Sequence, residues 1–459
     1  MSAQERVPTE ILCEVFHLLH VPILLGTLDN SSQDFPWAVG QVCRRWRNAF
    51  ISHPPLWSSL TLHWDFKCFR GAAYMAETNR RAAIYVERSG ELPLTISISL
   101  SGTRATRPSE TIKTLVSCSK RWKSLDICID AESEMELLKC KRNLPNLTTL
   151  VVRGDVASNL SKIFEVTPRL TNLDVSGRIG NIAFPWAQLT RFRISIGWED
   201  YCRYGNELWT ALLQLQNVET LELLGLPNFP ASGVPLPQVS AQLPRLLLLE
   251  TTLGFFGVFS QFIAPSLEHL RIDDCHDCYN AYVLHRHWKA IFSLINRSSC
   301  RVRRLTLHQG TFSGAPTMLE AFSSVEELII EYPTSTFPTI LRHIAGSNGD
   351  IYLPALRVLN MKYCPAHNIG ELVATISQFL EARGSGSRLA PASCVPLKKL
   401  VIHLEWCSCF RWGPKSIDID TWKALEAIRS LPSDANIYID DSEVRNLNQA
   451  WGSLVSGNA

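Results

Sequence analysis

One spacing returns through most of this 459-residue chain and leaves few folds open to it: an apolar residue, two variable residues, Leu, one variable residue, an apolar residue. It occurs as Trp122-x-x-Leu125-x-Ile127, Leu147-x-x-Leu150-x-Val152, Leu170-x-x-Leu173-x-Val175, Leu189-x-x-Phe192-x-Ile194 and Val218-x-x-Leu221-x-Leu223. It continues around Leu249, Leu270, Leu305, Leu328, Leu359 and Leu400. In a strand, residues two apart share a face, so each Leu-x-apolar segment points two side chains into a core and the residue between them outward. One such unit cannot bury its own apolar face, but a stack of parallel strands joined by helical or irregular returns can.

The central residues stand 19 to 41 positions apart, a loosened form of the 20–29-residue leucine-rich spacing. Several matches follow an x-Pro-x step, at Pro145, Pro168, Pro244, Pro265 and Pro354. Over roughly 94–440 the chain resembles degenerate leucine-rich repeats. The asparagine that many such repeats carry after the strand is mostly missing, and the longer steps imply insertions. The alternative is an α/β domain whose strands share this opening. Leu94 to Leu100 alternates strictly and reads as a further half-buried strand, Ile437–Ile439 as a closing strand, and the residues after about 445 as a tail. The expected fold class is α/β: a small all-α N-terminal unit (5–62, with a loop insertion at about 20–34), a linker helix within 63–93 ended by Gly90, an irregular solenoid with a parallel sheet (94–445), and a tail (446–459).

The N-terminal unit has its own pattern. Pro8 suits a first helical turn, and Ile11, Leu12, Val15, Phe16, Leu18 and Leu19 recur at helical spacing. A second helix is expected over about Trp37–Phe50, with Val39, Val42, Cys43, Trp46 and Phe50 on one side and Arg44, Arg45 and Arg47 elsewhere. Two or three short helices bury little surface by themselves. They form either a cap on the larger domain or a module with apolar surface left for a partner. Pro8-x-Glu10-Ile11-Leu12, Val42-Cys43-Arg44-x-Trp46-Arg47 and Pro55-Leu56-Trp57-Ser58-Ser59-Leu60 together resemble an F-box of the kind common in fungal F-box-like proteins. Val7 stands where the family usually has Leu, and residues 20–34 make the unit longer than a compact F-box. The resemblance implies docking on the Skp-type adaptor of an SCF-type cullin–RING ubiquitin ligase. The docking residues would be Val7, Pro8, Ile11, Leu12, Val15, Phe16, Val42, Cys43 and Trp46, with Arg44 and Arg45 at the rim. A leucine-rich interaction scaffold without a ligase role is the alternative.

Little in the sequence points to bond-making chemistry. No phosphate loop and no nucleophile elbow is present. Cys275-His276-Asp277-Cys278, with His285 and His287, lacks a second cysteine pair at finger-like distance, and Cys407-Ser408-Cys409 has too short a spacer. The expectation is therefore no enzyme, no metal and no cofactor. A net charge of +2, with 19% charged residues, gives no electrostatic case for nucleic acid or an anionic membrane. The greasiest stretch, Leu246–Ile263, is interrupted by Glu250, Thr251, Thr252, Ser260 and Gln261 and does not read as a membrane span. Fourteen cysteines without a visible signal peptide suggest reduced thiols in the cytoplasm or nucleus.

What remains is a surface. The variable strand positions would line one concave face: Arg271 and Asp273; Arg303, Arg304 and His308; Glu326, Glu327 and Glu331; Arg357, Asn360 and Lys362; Lys398, Lys399 and His403. Bands of basic, acidic and basic residues would follow one another along it. They would either keep the face soluble or recognise a target protein of complementary charge.

Overall fold

The computed structural model describes residues 7–18, 23–25, 39–65, 71–101, 109–128, 135–154, 160–177, 184–225, 239–252, 255–273, 281–308, 319, 321–331, 341, 344, 352–363, 369–383, 395–404, 423, 426, 428 and 436–440. The chain forms two compact units, Met1–Val218 and Glu219–Ala459.

In the first unit the described elements include α1 (Thr9–Leu18), β1 (Ile23–Leu25), α2 (Val39–Val42), α3 (Arg44–Ile51), a 3-10 turn (Pro54–Trp57), β2 (Ser59–Asp65), α4 (Ala72–Arg88), β3 (Leu94–Ser101), α5 (Ser109–Ser117), β4 (Trp122–Cys128), β5 (Thr149–Arg153), α6 (Leu160–Phe164), β6 (Asn172–Ser176), β7 (Arg191–Ile196) and α7 (Trp198–Leu212). Strands β1 to β7 lie side by side in chain order, every pair parallel. Their register lines up Leu60, Ile96, Leu125, Leu150, Leu173 and Phe192 in one row and Leu62, Ile98, Ile127, Val152, Val175 and Ile194 in the next. All twelve are buried.

The second unit repeats the plan with β8 (Thr220–Gly225), β9 (Ala241–Gln242), β10 (Leu248–Thr252), α8 (Phe256–Phe259), β11 (Phe262–Ile263), β12 (His269–Asp273), α9 (Ala281–Ser298), β13 (Arg304–His308), β14 (Glu327–Glu331), β15 (Val358–Tyr363), α10 (Ile369–Arg383), β16 (Lys399–Leu404) and β17 (Asn436–Asp440). Strands β8, β10 and β12 to β17 form its parallel sheet, and β9 pairs with β11 in a small second sheet. Leu221, Leu249, Leu270, Leu305, Leu328, Leu359, Leu400 and Ile437 occupy one register row. The parallel-strand solenoid expected from the Leu-x-apolar spacing is thus the fold, and the closing strand at Ile437–Ile439 is present.

The proline steps explain themselves in this geometry. Leu147 N–H bonds back to Leu144 O, Leu170 to Thr167, Leu246 to Leu243, Leu267 to Ala264 and Leu356 to Leu353. Each is a turn whose second residue is Pro, where a fixed φ near −65° costs nothing and no N–H is needed. Polar residues before the strands stitch one step to the last: Asn146 Nδ2 donates to Lys120 O at 2.9 Å and Ser266 Oγ to Pro244 O at 2.7 Å beside two of these turns, and Asn217 Nδ2 donates to Ala187 O at 2.7 Å ahead of β8.

Three expectations need correcting. The sheet begins at Ile23, not at 94, because Ile23-Leu24-Leu25 pairs in parallel with Leu60-Thr61-Leu62. Trp57-x-x-Leu60-x-Leu62 has the same spacing as the later strands, so β2 is the first full repeat strand and runs into the stretch expected as linker. Part of the stretch expected as a loop at 20–34 is therefore strand; the polar cluster Asp29–Asp34 lies outside the described residues. The helix expected over 37–50 is broken at Cys43, whose backbone is extended (φ −160°, ψ 169°) and whose Sγ accepts from Trp46 N–H at 3.4 Å as the N-cap of α3. Cys275–Cys278, Cys407–Cys409, the side chains of His285 and His287, and residues after 440 lie outside the described residues.

Candidate interaction surfaces

Helix α1 is apolar on two sides, and only one is covered. Leu12, Cys13 and Phe16 face inward. Phe16 meets Trp46 edge-on at 5.4 Å and Phe50 at 6.2 Å; Phe50 lies tilted against Trp57 at 4.7 Å, and Trp57 meets Tyr85 of α4 edge-on at 4.8 Å. Trp57 Nε1 donates to Phe50 O at 3.1 Å, and the Arg88 guanidinium lies 4.5 Å over the Trp57 ring. This aromatic chain holds the N-terminal helices to the start of the sheet.

On the other side Ile11 is 51% exposed, Val15 39% and Leu18 83%, residues spaced four and three apart along one helix face. Val42 at the end of α2 is 51% exposed. Of the nine residues that the F-box resemblance marks, Ile11, Val15, Val42 and Pro8 are exposed, Leu12 and Phe16 are buried, and Val7, Cys43 and Trp46 are half-buried. Leu12 and Phe16 are thus core residues of this unit, on the face where Trp46 and Phe50 pack against Phe16. Cys43 serves as the cap of α3, and Arg45 donates to Val7 O, tying the start of α1 to α3 instead of standing at a free rim. Leu18, the most exposed member of the stripe, was not among the nine; its place seven residues beyond Ile11 marked it in the sequence.

The second unit carries the charged face. Glu250, Arg271, Thr306, Ile329, Asn360, Val401 and Tyr438 form its central outward row. Basic and acidic residues of neighbouring strands meet at several points along it. Arg304 Nε meets Glu327 Oε2 at 2.6 Å. The largely buried Glu331 carboxylate accepts from Arg271 Nη2 at 3.0 Å and Lys362 Nζ at 3.1 Å. Arg271 also reaches Asp273 at 3.3 Å and Glu250 at 3.4 Å, the last a partner the sequence did not mark. Arg301 lies 3.7 Å from Glu326. His308, aligned with Glu331, is half-buried at the edge of this network. Arg303, Arg357, Lys398 and Lys399 are exposed, and among the described residues none forms an ion pair.

The described residues hold no group of three or more His, Cys, Asp or Glu side chains placed to share a metal ion, and none of their helices is long and apolar enough to cross a membrane. Cys13, Cys43, Cys118, Cys128, Cys140 and Cys300 are free, and burial pushes the Cys118 thiol up and the Cys140 thiol up to about 12.

No family model matches the chain, and no curated protein matches it. Among solved structures, the leucine-rich repeat-containing protein LegL7 from Legionella pneumophila aligns with a TM-score of 0.40 and 16% sequence identity, over 73% of this chain and 98% of that one. The strand register described above is the chain's own ground for its leucine-rich-repeat-like solenoid fold.

Proposed function

We propose that this chain is a protein-interaction receptor that brings a target protein to an SCF-type cullin–RING ubiquitin ligase. Helices α1 to α3 dock on a Skp-type adaptor, and the solenoid holds the target. The observation that carries the reading is the uncovered stripe Ile11, Val15 and Leu18, on a helix whose opposite side is already locked by Phe16 against Trp46 and Phe50. An isolated exposed apolar residue needs no explanation, but three on one helix face beside Val42 suit a helix-groove partner. The contribution to ubiquitin transfer is proximity; the chain makes and breaks no bond. It needs no cofactor, nucleic acid or membrane, and its free thiols suit the reducing cytoplasm or nucleus.

Co-purification with a recombinant Skp-type adaptor tests this. Ile11→Asp with Val15→Asp abolishes capture while the circular dichroism spectrum is kept; undiminished capture by that variant refutes the docking site. A second reading, a leucine-rich scaffold that no longer docks an adaptor, is favoured by the burial of Leu12 and Phe16, two positions that the resemblance assigns to docking. It predicts no adaptor capture by the wild-type chain.

A further inference from the structure

We infer that the second unit binds an acidic, unmodified peptide segment along the row of residues that immediately precedes its strands. The inference rests on the target-binding half of the proposed function and names the chemistry of the target. The row is defined by the backbone. Glu268 O accepts from Arg303 N–H at 2.8 Å, Arg303 O from Glu326 N–H at 2.8 Å, Glu326 O from Arg357 N–H at 2.8 Å, and Arg357 O from Lys398 N–H at 2.8 Å. These residues therefore occupy equivalent steps of successive coils, about 4.8 Å apart.

From Arg303 to Lys398 the exposed side chains of that row are all cationic. Glu326 is half-buried and lies against Arg301, and Glu327 and Glu331 on the neighbouring sheet face are held by Arg304, Arg271 and Lys362. Glu327 and Glu331 are thereby taken up on the sheet face, and Glu326, with Arg301 at 3.7 Å, is offset in part. Arg303, Arg357 and Lys398 remain exposed, joined by Lys399, whose strand neighbours Val358 and Asn436 are uncharged. Exposed Glu268, the step before Arg303, repels an anion that runs past Arg303, and the row continues beyond it through Leu247 to Glu219. An extended acidic segment puts carboxylates on one side about every 7 Å, a spacing that lets successive carboxylates reach cations one to two steps apart.

The test is fluorescence anisotropy of a labelled oligoglutamate peptide with the full chain at low and moderate salt. Oligoglutamate binds, binding weakens as salt rises, and an oligolysine peptide of equal length does not bind. Arg303→Glu, Arg357→Glu and Lys398→Glu together weaken it by about tenfold or more. The matching Gln variants weaken it less, and Lys120→Glu with Lys123→Glu in the first unit leaves it unchanged. Equal binding by the triple variant overturns the site. Binding of a phosphoserine peptide without oligoglutamate overturns the acidic-segment assignment. Adaptor capture is measured on the same preparations: capture without peptide binding sinks this inference alone, and peptide binding without capture sinks the ligase reading alone.

Discussion

Arg271 on β12 reaches past β13 to Glu331 on β14, its Nη2 donating to Oε2 at 3.0 Å across 60 residues of sequence. The register puts the short side chain of Thr306 beside Arg271, which leaves the guanidinium room to cross. Lys362 arrives at the same carboxylate from β15. Three strands, β12, β14 and β15, are thereby tied together by a single acid, with β13 spanned between them.

Glu331→Ala leaves two cations without their shared acceptor. Because Arg271 and Lys362 are 37% and 35% exposed, and Arg271 keeps Glu250 and Asp273, the loss is about 1–2 kcal/mol. Urea denaturation measures it. A double-mutant cycle with Arg271→Ala shows coupling between the two; strictly additive effects contradict the clamp.

The core face of α1 behaves differently from its exposed stripe. Phe16→Ala opens a cavity against Trp46 and Phe50 and costs about 3–5 kcal/mol, seen as a lowered denaturation midpoint. Ile11→Ala and Val15→Ala, on the solvent side, shift the midpoint by at most about 0.5 kcal/mol.

Gly177 follows β6 with φ +111°, directly over Gly154 after β5, and an added Cβ would lie 2.4 Å from the Gly154 carbonyl oxygen. Backbone cannot yield as a flexible side chain can. Gly177→Ala therefore destabilises by about 2 kcal/mol or more, whereas Gly71→Ala, at φ +91° with open space, costs only the conformational strain of about 1 kcal/mol. Equal losses in the two variants argue against the close stacking.

Arg383, at the C-terminal end of α10 and 3% exposed, donates to Ile344 O at 2.9 Å, to Tyr352 O at 2.6 Å and to Leu353 O at 3.2 Å. Arg383→Met strands those carbonyls and costs about 3 kcal/mol or more. Arg383→Lys does not rescue it, since one ammonium cannot reproduce the planar fork. Urea denaturation reports the loss.

Burial raises the Cys140 thiol from an ordinary value near 9 to about 12, which makes it unreactive. A raised folded-state pKa means that its contribution to stability is intact below the unfolded value and fades as pH climbs from about 9 toward 12. Alkylation with iodoacetamide at pH 8, mapped by mass spectrometry, leaves Cys140 unlabelled until denaturant is added.

The sequence by itself determined the strands. A two-residue spacing of Leu and a second apolar side chain works only if both face one core, so Leu125-x-Ile127 and its successors fixed strand position, direction of burial and mutual register. The prolines fixed the turns before them. It hid β2, because Trp57-x-x-Leu60-x-Leu62 was absorbed into the motif that resembles an F-box. Only the tertiary structure decided which side of α1 is covered, since Leu12 and Ile11 are equally apolar and the choice belongs to Trp46 and Phe50. It alone decided which charges remain free, too. An ion pair such as Arg271–Glu331 depends on which coil lies beside which, and residues 60 positions apart carry no mark of that in the chain.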